Sequence, residues 1–412
     1  MEGLEDRRLL AGLGTPSGVV LPTYSGPRNI GAVQAVNVTE SELANQLGLN
    51  DSLVNADLIN LGTGPGQDDT IDVTGNIGFV ASQSFPPNFT ADVDSFAFDL
   101  RGGDILDIAT LGAAGSFTVF NPDGSVWFGI DAPAPYGFYP ADSPLQDLGV
   151  AGFAQVIPED GRYYVQVTPV GTGNSYTMGL RVYRPNIEST PIGTQQVLYI
   201  DFDGGIYPTS VFSDGTGIPQ GGTVRIPGLR ETLPLLGINP LNDAAYNRLI
   251  DLTVAETKRM FAALGVNGTN GDFVNTSIPG EFGITVLNSR DHPDPGTSDP
   301  LVTRILLGGT HADSGIATIG ISSTLDVGNF SMDDIVIGLL HRVWGVVPAV
   351  PIDPTASIVD AMGDFLAFLV AHEAGHSFGM YHTAGLNSPA PFPMNFTTNI
   401  MDEGPTSDFG QV

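Results

Sequence analysis

The 412-residue chain carries 15 basic against 45 acidic side chains, a formal net charge of −30, so its field repels nucleic acid and anionic membrane surfaces. With 42% hydrophobic residues it can bury sizeable cores, and its length predicts two or three domains. It has no cysteine, which excludes disulfides, thiolate metal sites and a cysteine nucleophile; 53 Gly and 31 Pro beside only 15% charged residues favour short strands and many turns.

Residues 1–66 are mixed in character. M-E-G-L-E-D-R-R-L-L-A-G lacks the basic start and long apolar core of an ordinary signal peptide. Leu4-Glu5-Asp6-Arg7-Arg8-Leu9-Leu10 resembles the L-E-P-R-x-L-L motif that opens large exported bacterial proteins, with Asp6 in place of the proline. That resemblance implies a secreted or cell-surface location. T-E-S-E-L-A-N-Q-L (39–47) predicts a short helix with Thr39 as N-cap and Glu42 completing a capping box, and L-G-T-G-P-G-Q-D-D (61–69) predicts a linker.

From 67 to 185 the pattern becomes that of strands. Segments 95–100, 104–110, 116–120, 162–168 and 175–183 alternate apolar and polar residues between turn phrases such as N-P-D-G and P-E-D-G. Regular short strands of this kind predict an antiparallel β-sandwich. D-V-D-S-F-A-F-D-L, F-N-P-D-G-S and P-E-D-G-R-Y-Y-V-Q-V are similar to the bacterial pre-peptidase C-terminal domain. The resemblance implies a jelly-roll-like accessory module of secreted peptidases.

Residues 186–194 form a second predicted linker, after which the pattern is mixed. A buried strand is expected at 197–202. A helix is expected at 242–264, capped by Asn242, stopped by Gly265, and carrying Ala245, Leu249, Leu252 and Met260 near one face. Strands follow at 283–289, 303–308 and 316–322, then a helix from about 357 to 378. The order predicts an α/β (α+β) domain with a mixed sheet over 195–412. I-V-I-G-L-L-H-R-V-W-G-V-V-P (335–348) is broken by His341, Arg342 and Pro348, so no membrane span is expected.

That last helix carries A-H-E-A-G-H-S-F-G-M-Y-H-T (371–383), which holds three of the six histidines. His372 and His376, four apart, project from one helical face and suit a single Zn²⁺. Glu373 stands beside that face, where a general base takes a proton from a zinc-activated water. A third ligand requires the chain to leave the helix; Gly379 tolerates left-handed torsions and serves as the hinge that returns His382.

These residues fit H-E-x-x-H-x-x-G-x-x-H, the signature of the metzincin zinc peptidases, and N-I-M-D (399–402) resembles that family's methionine turn, with Met401 nineteen positions after His382. The resemblance implies a metzincin-like catalytic domain acting as a secreted zinc endopeptidase on a protein or peptide substrate, with the substrate backbone added to an edge strand at 305–309 or 316–320. Thr383 is compatible with the matrixin branch, but Glu403 stands where astacins and serralysins carry a tyrosine. Metzincins usually add a helix after the turn, and eleven residues follow Met401, so a truncated or minimal lobe is expected. The alternative is a surface adhesion or binding protein with an inactive peptidase lobe; a third reading is a zinc hydrolase of non-peptide amides. Acidic loops at 92–95, 201–205 and 291–299 offer oxygen ligands for Ca²⁺, without matching the EF-hand loop. His292, His311 and His341 are read as structural or surface residues, and the sequence sets no oligomeric state.

Overall fold

The computed structural model describes residues 33–40, 47–61, 68–81, 89–130, 139–140, 143, 145, 151–169, 175–183, 195–211, 221–263, 273–275, 282–296, 302–315, 319–328, 330–331, 334–340, 357–380 and 401. Residues 62–67 of the first predicted linker and all of the second lie outside them, while Asp68 and Asp69 of the first belong to a strand. The chain is a mixed α/β protein, with many strands in several sheets and few helices.

The first half consists of β1 (Val33–Thr39), β2 (Asp57–Leu58), β3 (Asp68–Asn76), β4 (Phe79–Ala81), β5 (Phe89–Ala91), β6 (Asp94–Leu100), β7 (Ile105–Gly112), β8 (Ala114–Phe120), β9 (Val126–Ile130), β10 (Ala151–Val156), β11 (Gly161–Pro169) and β12 (Ser175–Tyr183). Two five-stranded sheets, β1-β3-β12-β7-β10 and β2-β6-β11-β8-β9, face each other, and β4 with β5 makes a separate hairpin. Alternate residues of both sheets point inward and meet in one core. Ile71, Ile108 and Leu180 come from the first sheet, and Phe98, Phe117 and Val165 from the second.

Two expectations are corrected here. The sandwich is not wholly antiparallel, because β1 pairs with β3 and β2 with β6 in parallel. Both strands come from residues before 67, so part of the region read as N-terminal linker belongs to the sandwich. Thr39, the expected N-cap, ends strand β1, and its neighbour Glu40 is buried. Glu42 and the rest of 41–46 lie outside the described residues.

The second half consists of β13 (Gln195–Asp201), β14 (Gly204–Pro208), β15 (Thr223–Pro227), α1 (Leu229–Thr232), α2 (Asp243–Ala263), β16 (Phe273–Asn275), β17 (Phe282–Asn288), β18 (Val302–Leu307), α3 (His311–Ser314), β19 (Gly320–Ser322), β20 (Ile335–Gly338) and α4 (Ile358–Ser377). A six-stranded sheet runs β16-β17-β13-β18-β20-β19. The four central strands are parallel, and both edge strands are antiparallel to their neighbours. Its central strands read as continuous apolar runs because both faces are covered. Leu198, Ile200, Ile305, Leu307 and Val336 face α2 and α4, while Leu306, Ile335 and Ile337 pack under the β14–β15 hairpin.

Helix α2 starts where Asn242 accepts the Ala245 N–H through its side chain, at 3.1 Å. Ser357 does the same for Asp360 at the start of α4. Nearly every residue of α4 from Ala361 to Gly375 is buried, as expected for an apolar helix laid between a sheet and a second helix. Among the described residues no helix is long and apolar enough to cross a membrane.

Candidate metal centre

The burial of α4 fixes the direction of its last turns. His372 is only 9% and Glu373 7% exposed, while His376, one turn on, is half-buried. The His372 and His376 rings lie 5.1 Å apart, edge to face. His376 Nδ1 is 2.8 Å from the Met380 carbonyl oxygen. A carbonyl only accepts, so Nδ1 carries the proton and donates it, and Nε2 is the ring's acceptor nitrogen.

Helix α4 ends in a two-bond cap. The Met380 N–H donates to Gly375 O at 2.8 Å and the Gly379 N–H to His376 O at 2.9 Å, with Gly379 at φ +80°. This is the Schellman arrangement, and it demands a left-handed residue at 379. The chain is thereby turned away from the helix axis two residues before it reaches Tyr381. His382, the expected third ligand, lies outside the described residues. Among the described residues no three His, Asp or Glu side chains converge as a metal cage.

Two glycines shape the space around these side chains. A Cβ on Gly320 of β19 would overlap Glu373 Oε1, so only glycine leaves the carboxyl its place beside the edge strand. A Cβ on Gly375 would overlap Met401 Sδ; Met401 is buried, 2% exposed, against the helix turn that carries His376. Burial pushes the Glu373 carboxyl up to about 8, and a hydrogen bond from the Ser322 backbone works against that rise. Ser322 also meets Ser377 of α4 through their hydroxyls at 2.9 Å, tying strand to helix.

Of the two candidate edge strands, one is corrected, and of the other only Ile319 and Gly320 are described. Residues 305–307 lie in β18, the middle of the sheet between β13 and β20, so that candidate is corrected. Gly320–Ser322 form the outermost strand, β19, beside Glu373. Sequence reasoning missed Gly320, Ser322 and Gly375, whose roles arise from contacts between distant segments; the small residues of I-G-I-S were the only local signal.

Of the other histidines, His292 and His311 are described. His292 Nδ1 accepts the Asn288 N–H, at 3.2 Å, within a turn. His311 opens α3, whose Asp313 carboxylate is held in a capping box with Thr310. His341 lies outside the described residues.

The three acidic loops differ. Asp201 and Asp294 both bind the buried Arg304, and Asp291 binds Arg290. Around 92–95, in contrast, carboxylates gather in the interior. Asp92 and Asp94 are fully buried and Glu40 nearly so. Asp94 accepts from Tyr176 Oη at 2.7 Å, and Glu40 Oε1 from Asn76 N–H at 2.6 Å. No donor reaches the buried Glu40 Oε2, which faces the Asp94 carboxyl. Burial, then that neighbour, pushes Glu40 up to about 9 from 4.5; burial likewise raises Asp94.

The Glu40 proton sets a pH dependence. The unfolded chain releases it above its ordinary 4.5, whereas the folded chain keeps it to about 9. The folded state therefore binds the extra proton across that window, and stability falls as pH rises through it. Glu40→Gln is expected to flatten the decline of Tm between about pH 5 and pH 9, followed by calorimetry in the presence of chelator. An unchanged slope refutes the raised proton affinity of Glu40.

No protein-family model matches the chain, and no curated protein does. Among solved structures, the periplasmic g-type lysozyme inhibitor PliG of Aeromonas hydrophila is 13% identical, with 37% of this chain and 99% of that one covered and a TM-score of 0.19. PliG of Salmonella Typhimurium is 14% identical, covering 31% of this chain and 98% of that one, with a TM-score of 0.20. The pre-peptidase C-terminal domain of a Bacillus anthracis collagenase is 15% identical, covering 30% and 93%, with a TM-score of 0.18. These are weak structural likenesses.

Proposed function

We propose that the protein is an exported zinc endopeptidase of metzincin type. The observation that carries the reading is the placement of Glu373, a buried carboxyl set between the edge strand β19 and a helix turn that offers two adjacent imidazoles. The donor set suits zinc: two neutral imidazoles, one already oriented by the Met380 carbonyl, with His382 proposed as the third ligand after the turn at Gly379. Zn²⁺ bound there would acidify a water molecule and polarise the scissile carbonyl.

Glu373 takes the proton of the attacking water and passes it to the departing amine. Its buried position keeps bulk water from competing for that proton. The outer edge of β19 lays out the substrate backbone by strand addition, presenting the scissile bond alongside Glu373.

Metal analysis of the purified chain, paired with casein digestion with and without a chelator, tests the peptidase reading. One zinc per chain, and cleavage that stops on chelation and returns with Zn²⁺, is the expected result. Zinc-free protein that cleaves nothing after zinc addition leaves the binding-protein alternative.

A further inference from the structure

The two halves of the chain meet at the histidine site. Ile105 and Tyr183 of the sandwich share one buried cluster with Val327 and Phe330, which lie between β19 and β20. The Tyr183 and Phe330 rings stand edge to face with centroids 5.6 Å apart. Gly328, at φ +88°, lets the backbone come so close that a Cβ there would overlap Ile105 Cδ1. The loop is itself folded tightly: the Asp326 carboxylate accepts the Phe330 N–H at 2.8 Å and the Ser331 N–H at 2.9 Å.

The same loop touches the end of α4. The Asp326 N–H donates to His376 O at 3.2 Å, and Val327 Cα lies 2.8 Å from where a Cβ on Gly379 would be. From the sandwich side, Gln155 Nε2 of β10 donates to Gly379 O at 3.4 Å. The turn that leads toward His382 is therefore gripped twice, by a sandwich side chain and by a loop that the sandwich holds.

We propose that the β-sandwich is a positioning element of the metal centre, with Gln155 and Phe330 as its positioning residues. This rests on the zinc reading above and deepens it. A third imidazole reaches the ion only if the turn after α4 keeps one path, and small errors in such supporting contacts weaken a site strongly. The peptidase half is on this account incomplete without its neighbour.

The test uses the full chain as Gln155→Ala and Phe330→Ala, with Phe128→Ala as a control for general loss of stability, since Phe128 sits in the sandwich core away from this contact. Zinc affinity is read by chelator competition with Zn²⁺ alone, kcat and KM on casein, and amide exchange at 376–380 in metal-free protein. Both test variants are expected to bind zinc about tenfold more weakly, to lose kcat with little change in KM, and to exchange faster at 378–380. The control is expected to lose Tm only. Parental zinc affinity and parental exchange in both variants overturn the proposal. If the parent itself binds no zinc, the zinc reading falls, and exchange at 378–380 then decides alone: faster exchange upholds the grip, unchanged exchange removes it. Should Phe330→Ala not fold, Gln155→Ala decides by the same readings.

Discussion

Glu373→Gln is expected to leave the protein folded and zinc-loaded while kcat on a peptide substrate falls by roughly 10²- to 10⁴-fold, the usual range for loss of a general base. The amide is close to isosteric, so the tight space beside Gly320 is still filled and α4 keeps its packing. The imidazoles of His372 and His376 are untouched, so metal retention stays at the parental level. Only the capacity to take a proton is removed. Because the parent carboxyl is buried at 7% exposure, its replacement by a neutral group also relieves a desolvation cost, and Tm is expected to hold or rise. Casein hydrolysis equal to that of the parent would remove Glu373 from the mechanism. Loss of zinc would instead make the residue a structural support of the site.

Gly379→Ala is expected to destabilise the fold by about 2–5 kcal/mol and to abolish zinc retention. The sum has two parts. A side chain in the left-handed region costs roughly 1–2 kcal/mol. Forcing a methyl group into a packed contact costs a further ~1–3 kcal/mol, and here the Cβ would stand 2.8 Å from Val327 Cα and 2.9 Å from its Cγ2. The partner atoms include backbone, which cannot swing aside as a flexible side chain does. Gly315→Ala supplies the comparison, because Gly315 also has a positive φ, +74°, with open space around it. That variant is expected to show the backbone part alone. Denaturant unfolding of the two variants side by side isolates the Val327 contact; equal destabilisation would mean that the contact has no energetic weight.

What the sequence made legible was local. Helix α4 was readable as a run from about 357 to 378 with the glycine beyond it, and the structure sets its ends at Ile358 and Ser377. Helix α2 was readable from its Asn242 cap and its apolar face, and β6, β7, β11 and β12 from their alternation, which matches the burial of β11, whereas β6 and β7 are buried at almost every position. Strands β14 and β15 were missed because each ends on proline and the first begins on two glycines, a composition that suggests a turn. Strand β20 was hidden inside the apolar stretch 335–348, whose lack of period distinguishes neither strand nor helix. Strand β2 is two residues long and carries no period at all.

For the candidate site, the residue types and their spacing were visible, whereas their surroundings were not. Nothing in the neighbourhood of Gly320 in sequence shows that its missing methyl makes room for a carboxyl fifty-three positions later. The same holds for Asp326, whose partners include the backbone of α4, and for Gln155, whose alternation in β10 gave no sign that its amide would meet Gly379. Such roles belong to the assembled topology.

The seating of Met401 against Gly375 has a temporal consequence. The thioether belongs to a residue that follows the whole of α4 in the chain, so the packing under that helix turn needs a part of the chain synthesised later. The centre is finished only once the later segment has come home. A nascent chain that has not yet reached Met401 therefore leaves the turn that carries His376 without this contact.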